Sequence, residues 1–126
     1  MSETVTNLTI RGRRGIRTIK VIVDARATNT TIDREMADQL GIDVIDRQEV
    51  VLANGKSDTV GVGTGEIEIQ GIRRVVPLFI YDTNLVGLTT LEAAGLSVNP
   101  ATRKLERVPG KLLRLRLKSR NGFVSY

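Results

Sequence analysis

A chain of 126 residues with no Cys, His or Trp has a short list of chemistries open to it. Ser-His-Asp and Cys-His catalysis are excluded, and so are a disulfide framework and a Cys/His zinc site. Acid–base work falls to carboxylates, Lys, Tyr or a bound ion. Of the 14 acidic residues, Asp24 is distinguished by its position. It ends the run Ile19-Lys20-Val21-Ile22-Val23 and opens the polar stretch Ala25-Arg26-Ala27-Thr28-Asn29-Thr30-Thr31, which leads into Ile32. A carboxylate where a buried strand gives way to a polar turn is a common place for function. Taken alone, it reads more readily as an Asp that binds turn amides.

The elements that would hold Asp24 are mostly strands. Residues 5–10 and 16–23 are β-branched runs around Arg11-Gly12-Arg13-Arg14-Gly15, which predicts a hairpin. Its loop reads as a soluble turn, with a phosphate cradle as the other reading. Val50-Val51-Leu52-Ala53 runs into Asn54-Gly55, a two-residue hairpin signal. Gly61, Gly63 and Gly65 alternate with Val60, Val62 and Thr64, predicting a thin, mobile strand with few side chains on one face. Residues 75–80 form another strand, whose Pro77 predicts an edge or a bulge.

Two short helices interrupt the strands. Thr31 or Asp33 caps the first, Glu35 lies in its opening turn, and Ile32, Met36 and Leu40 share a face ending at Gly41. The second starts near Thr89-Thr90 and ends at Gly95, with Leu91 and Ala94 inward. Asn99-Pro100-Ala101-Thr102 reads as a turn and residues 105–108 as a short strand. Residues 37–44 and 91–98 echo each other as helix end, Gly, branched aliphatic, polar residue and Val. The echo fits two similar halves, and also the commonness of helix–Gly–strand junctions.

A 40% hydrophobic content supports one packed domain, placed at residues 1–118, with a flexible basic tail at 119–126. The net charge of +5 is unevenly spread. The terminal parts hold 13 basic residues against Glu3 and Glu106, a net +11, while residues 21–102 hold 6 basic and 12 acidic residues, a net −6. Such asymmetry marks a nucleic-acid or membrane surface, or simply a solvated strand face. The strict alternation of residues 113–118 favours the solvated face. An aromatic content of 3% argues against nucleic acid as a partner. No apolar run suits a membrane span, and Met1-Ser2-Glu3-Thr4 lacks a signal-peptide pattern. A soluble cytoplasmic protein is expected, with no cofactor or metal.

The segment Val21-Ile22-Val23-Asp24-Ala25-Arg26-Ala27-Thr28 resembles the active-site strand and loop of retropepsin-like aspartic proteases, which read apolar-apolar-Asp-Thr/Ser-Gly-Ala. The match continues through Ile32 and the first helix. Ala53-Asn54-Gly55 resembles the start of the flap region in the bacterial and archaeal branch. Leu85-Val86-Gly87-Leu88-Thr89-Thr90-Leu91 resembles the apolar-apolar-Gly element before the family's second helix. Order and spacing agree over about residues 5–108.

The resemblance implies a mostly β, closed barrel or sandwich with two short helices and one active-site aspartate per subunit. It implies a homodimer in which Asp24 meets its twin at a two-fold axis and the pair shares a proton. A flap spanning residues 57–65 would close over an extended peptide or protein substrate bound as an added strand. The resemblance assigns flap and substrate contacts to Asn54, Gly55, Val60, Gly61, Val62 and Gly63, and a core motif to Leu85, Val86 and Gly87. It places residues 5–10 and 105–108, and with them 113–117, at the dimer interface.

Ala27 and Thr28 keep the family's loop pattern, but Ala25 replaces its Thr/Ser and Arg26 its Gly. Ala25 cannot supply the hydroxyl that braces the two loops across the dimer. Arg26 either pairs with Asp24, favouring two ionised carboxylates, or points away and alters only the loop. Two functions are therefore open: an altered but competent aspartic endopeptidase, and a catalytically inactive dimerisation or peptide-binding module of the same fold.

Overall fold

The structure, a computed structural model, describes residues 3–108. The expected basic tail and the alternating segment 113–118 lie outside the described residues. Strand β1 (Thr4–Gly12) and strand β2 (Gly15–Val23) pair antiparallel from Thr4 opposite Val23 to Gly12 opposite Gly15. The predicted hairpin is thus present, with a loop of only Arg13 and Arg14. Strand β3 (Thr30–Asp33) leads into helix α1 (Arg34–Leu40), and β4 (Asp46–Val51) pairs with the long β5 (Ser57–Ile69). Strand β6 (Ile72–Tyr81) returns along β5, and the two-residue β7 (Leu85–Val86) precedes helix α2 (Leu88–Ala94). Strands β8 (Leu96–Val98) and β9 (Leu105–Arg107) form a separate small sheet.

The main sheet runs β1-β2-β7-β3-β6-β5-β4, and β1 also pairs with β5 from Leu8 opposite Ile69 to Arg11 opposite Glu66. Six strands therefore close into a barrel and β4 hangs from its rim. This is the mostly β barrel with two short helices that the resemblance implied. Closure follows from strict alternation. Leu8 and Ile10, Ile67 and Ile69, and Val76, Leu78 and Ile80 point inward on a period of two and are buried. Each large aliphatic side chain so buried stabilises the fold by roughly 1.5–3 kcal/mol.

Both helices seal the barrel with the faces expected of them. Asp33 caps α1, its carboxylate accepting from the Met36 N–H at 2.7 Å, and Ile32, Met36 and Leu40 are buried. Leu91 and Ala94 of α2 are buried likewise.

Pro77 lies in a regular stretch of β6 with no bulge, opposite Thr64 of β5. Pairing of β6 with β3 starts only at Leu78, so Pro77 stands where that side of the strand is a local edge and its missing N–H costs nothing. The alternating glycines of β5 are a site of close packing. A Cβ on Gly61 would lie 2.9 Å from Val44 Cγ2, and one on Gly63 would lie 2.6 Å from the Asp43 carbonyl oxygen. The bare face of the strand lets the connection from α1 to β4 cross directly over the sheet.

Candidate active site

Asp24 leaves the end of β2 and enters a tight turn closed by the Ala27 N–H donating to the Asp24 carbonyl at 3.0 Å. Beneath this turn runs the element at 85–87. Val86 pairs with Val23, and its carbonyl accepts from the Asp24 N–H at 2.9 Å. Leu88 and Thr89 donate their N–H groups to the carbonyls of Ala27 and Thr28, each at 2.8 Å. Gly87 is required at this crossing, because a Cβ there would lie 2.5 Å from the carbonyl carbon and oxygen of Asn29. Its N–H donates to the Thr30 hydroxyl at 3.0 Å, and that hydroxyl shares a 2.6 Å hydrogen bond with the Thr90 hydroxyl. Both threonines are fully buried. The predicted core motif Leu85, Val86 and Gly87 thus lies directly under the Asp24 loop.

The Asp24 carboxylate is itself partly open, with 31% of its side chain exposed. Its Oδ1 accepts from the Arg26 backbone N–H at 3.0 Å and from the Arg26 Nε at 3.2 Å. These hydrogen bonds and the guanidinium charge hold the carboxyl below the usual aspartate value, against a smaller desolvation effect. Of the two geometries open to Arg26, the one that pairs with Asp24 is observed. Ala25 is exposed at the same turn.

A groove of about 700 Å³ opens beside Asp24. One wall is the loop itself, Arg26, Ala27, Thr28 and Asn29; the far wall is Val50, Val51, Leu52 and Ala53 of the β4–β5 hairpin. Val60, Phe79, Tyr81 and Leu85 line it between those walls. The hairpin leaves the barrel at Gly61, the first β5 residue that pairs with β6. Among the described residues, β4 and β5 beyond that point pair only with each other, as a projecting two-stranded ribbon.

The tip differs from a two-residue turn. The Leu52 N–H donates to the Lys56 carbonyl and the Gly55 N–H to the Leu52 carbonyl, at 2.7 and 2.9 Å, which makes Ala53-Asn54-Gly55 a three-residue loop. Only Gly55 has positive φ, at 84°, whereas a two-residue turn of this kind needs two such residues. Asn54 and Gly55 form the tip, and Val60 lines the groove. Gly61, Val62 and Gly63 lie at the base, where β5 joins the barrel.

Phe79 and Tyr81 were not singled out from the sequence. They alternate with buried Leu78 and Ile80, so a period of two already placed them on the opposite face. The Tyr81 hydroxyl donates to the Asp58 carboxylate, and the Arg34 guanidinium stacks 5.1 Å from the Tyr81 ring centroid. The contact holds the Asp58 carboxyl below its ordinary value and the Tyr81 hydroxyl above its own. No sequence signal joined Thr30 to Thr90, which are sixty positions apart.

Among the described residues no cluster of carboxylates could hold a metal ion, and no helix is long and apolar enough to cross a membrane. No curated relative matches the chain. A family model described as aspartyl protease matches residues 6–96, which takes in the Asp24 loop, the hairpin and the element at 85–87. The chain belongs to the aspartyl protease family, in the retropepsin-like clan.

Proposed function

We propose that the protein is an aspartic endopeptidase that works as a homodimer, with Asp24 of each subunit forming a water-activating pair. The observation that carries this reading is the placement of the Asp24 carboxylate at the open end of a groove faced by a projecting hairpin. One carboxylate of the pair takes a proton from water, whose oxygen attacks the peptide carbonyl carbon. The other, protonated, gives its proton to the carbonyl oxygen. Collapse of the tetrahedral species breaks the C–N bond as the leaving amine takes a proton. The hairpin supplies backbone to an extended peptide and excludes water.

A second reading is supported by the Arg26–Asp24 hydrogen bonds. Two carboxylates each held ionised lack the shared proton, which suits a peptide-binding or dimerisation module that does not cut. Digestion of a denatured protein mixture between about pH 3 and 7 tests the choice, because a shared-proton pair favours the acid side. Cutting by the parent chain that vanishes in Asp24→Asn is the expected result. No cutting by either rejects the peptidase, and Ala25→Thr with Arg26→Gly then shows whether those two residues silence the site. A monomer at micromolar concentration by sizing with light scattering rejects the dimer.

A further inference from the structure

We propose that Arg26 is a specificity residue whose guanidinium receives a carboxylate of the substrate, an Asp or Glu side chain next to the bond held at Asp24. The inference rests on the groove being a peptide site, and it adds which peptides that site selects. Among the described residues that line the groove, Asp24 and Arg26 are the only charged ones. The walls are otherwise aliphatic, aromatic or neutral, so a charged substrate side chain finds a single cation to pair with. Arg26 also borders a second cavity of about 590 Å³ on the other side of Asp24, together with Glu3 and Arg103. It therefore stands at the junction of the two spaces.

The contact with Asp24 leaves most of the guanidinium unused. Arg26 donates through Nε alone, and its backbone N–H uses the same carboxylate oxygen. Its side chain is 93% exposed. Five N–H groups in a planar fork match a carboxylate best when two of them act in parallel. The single Nε contact with Asp24 falls short of that arrangement, and an incoming carboxylate can take the end that carries the two terminal nitrogens. Transfer of the guanidinium to the substrate would also relieve Asp24 of the cation that favours its ionised form. Acidic substrates would thereby promote the proton sharing that the catalytic pair needs.

The test uses two degenerate peptide libraries that differ only in a fixed Glu or Gln, with binding read by anisotropy. The parent chain, Asp24→Asn, Arg26→Gln and Arg26→Lys are compared. The Glu library is expected to bind the parent about tenfold more tightly, the size of one charge-assisted hydrogen-bond pair. The preference should survive in Asp24→Asn, shrink in Arg26→Lys and fall to about twofold or less in Arg26→Gln. Equal binding of the two libraries by the parent overturns the role of Arg26, whether or not anything is cut. Cutting by the parent with no enrichment of Asp or Glu beside the cut also overturns it and leaves the peptidase standing. A preference lost in Arg26→Gln with no cutting by the parent supports Arg26 and rejects the peptidase.

Discussion

On one side of the groove Asp24 stands on a crossing where the N–H groups of Asp24, Ala27, Leu88 and Thr89 are all paired and the two threonines beneath it are fully buried. On the other side Val51 is 73% exposed, on a ribbon that has no third strand beyond Gly61 among the described residues. One wall is a polar loop clamped from below by β7, and the other is an apolar run held along its own hairpin. The proposed hydrolysis would use this contrast, because a reacting carboxylate has to keep its place while a wall moves to admit an extended chain. The same contrast says where substitutions will be felt. Changes under Asp24 act on the whole fold, and changes in the ribbon act locally.

Gly87→Ala should give the largest effect. Its new Cβ would meet Asn29 and Ala27 backbone atoms at 2.5 and 2.9 Å, and backbone cannot rotate away as a side chain does. A loss of about 3 kcal/mol, the upper end for overpacking, is expected in urea unfolding. An unmoved midpoint would mean that the crossing under Asp24 is looser than its geometry.

Thr30→Val comes next, at about 2 kcal/mol, because it leaves the Gly87 N–H and the Thr90 hydroxyl buried without the Thr30 oxygen. Thr90→Val should cost less, since Thr30 keeps its bond from Gly87. A reversed order would place the anchor of the loop on α2 and not on β3.

Gly55→Ala belongs to the other wall. Its φ of 84° costs an alanine about 1 kcal/mol, and no atom lies within 4 Å of the new Cβ. Hydrogen exchange should quicken in the hairpin and stay unchanged around Asp24. Loss of protection in both walls would show that the ribbon and the barrel open as one unit.

These differences also decide what was legible in the sequence. The Asp24 loop and the element at 85–87 were legible through the family resemblance, which matched an apolar run ending in a carboxylate and an apolar pair followed by Gly in order and spacing; local rules alone favoured an Asp that binds turn amides. Both Gly41 and Gly95 adopt left-handed C-caps followed by buried Ile42 and Leu96, so the repeated junction also has a structural counterpart. The hairpin tip was misjudged because Asn54-Gly55 fits two turn types, and the Leu52–Lys56 pairing selects between them. The glycines of β5 were judged from what they lack. What packs against them, Val44 and the Asp43 carbonyl, arrives through a connection that no local pattern specifies. The Arg26–Asp24 contact was readable as one of two geometries, since a two-residue separation permits the bond without requiring it.

The smallest expected effect lies between the two walls, in the pH dependence of Arg26→Gln. Hydrogen bonding from Arg26 holds the Asp24 carboxyl low, so the folded state binds that proton less readily than the unfolded chain does. The contribution to stability is present above the unfolded aspartate value of about 3.9 and is lost as pH falls through the lower folded value. Parent and Arg26→Gln should therefore differ most above about pH 4, and converge in stronger acid. The difference should stay below about 1 kcal/mol, because Arg26 is exposed and solvent screens the pair. Asp58, also held low by Tyr81 and by the Thr59 N–H, is common to both chains, so the subtraction isolates Asp24. An NMR titration giving the same Asp24 pKa in both chains would show that the guanidinium does not control that carboxylate. The groove would then be guarded by a free cation, and the proposed acidic preference at Arg26 would no longer be linked to the proton of the proposed Asp24 pair.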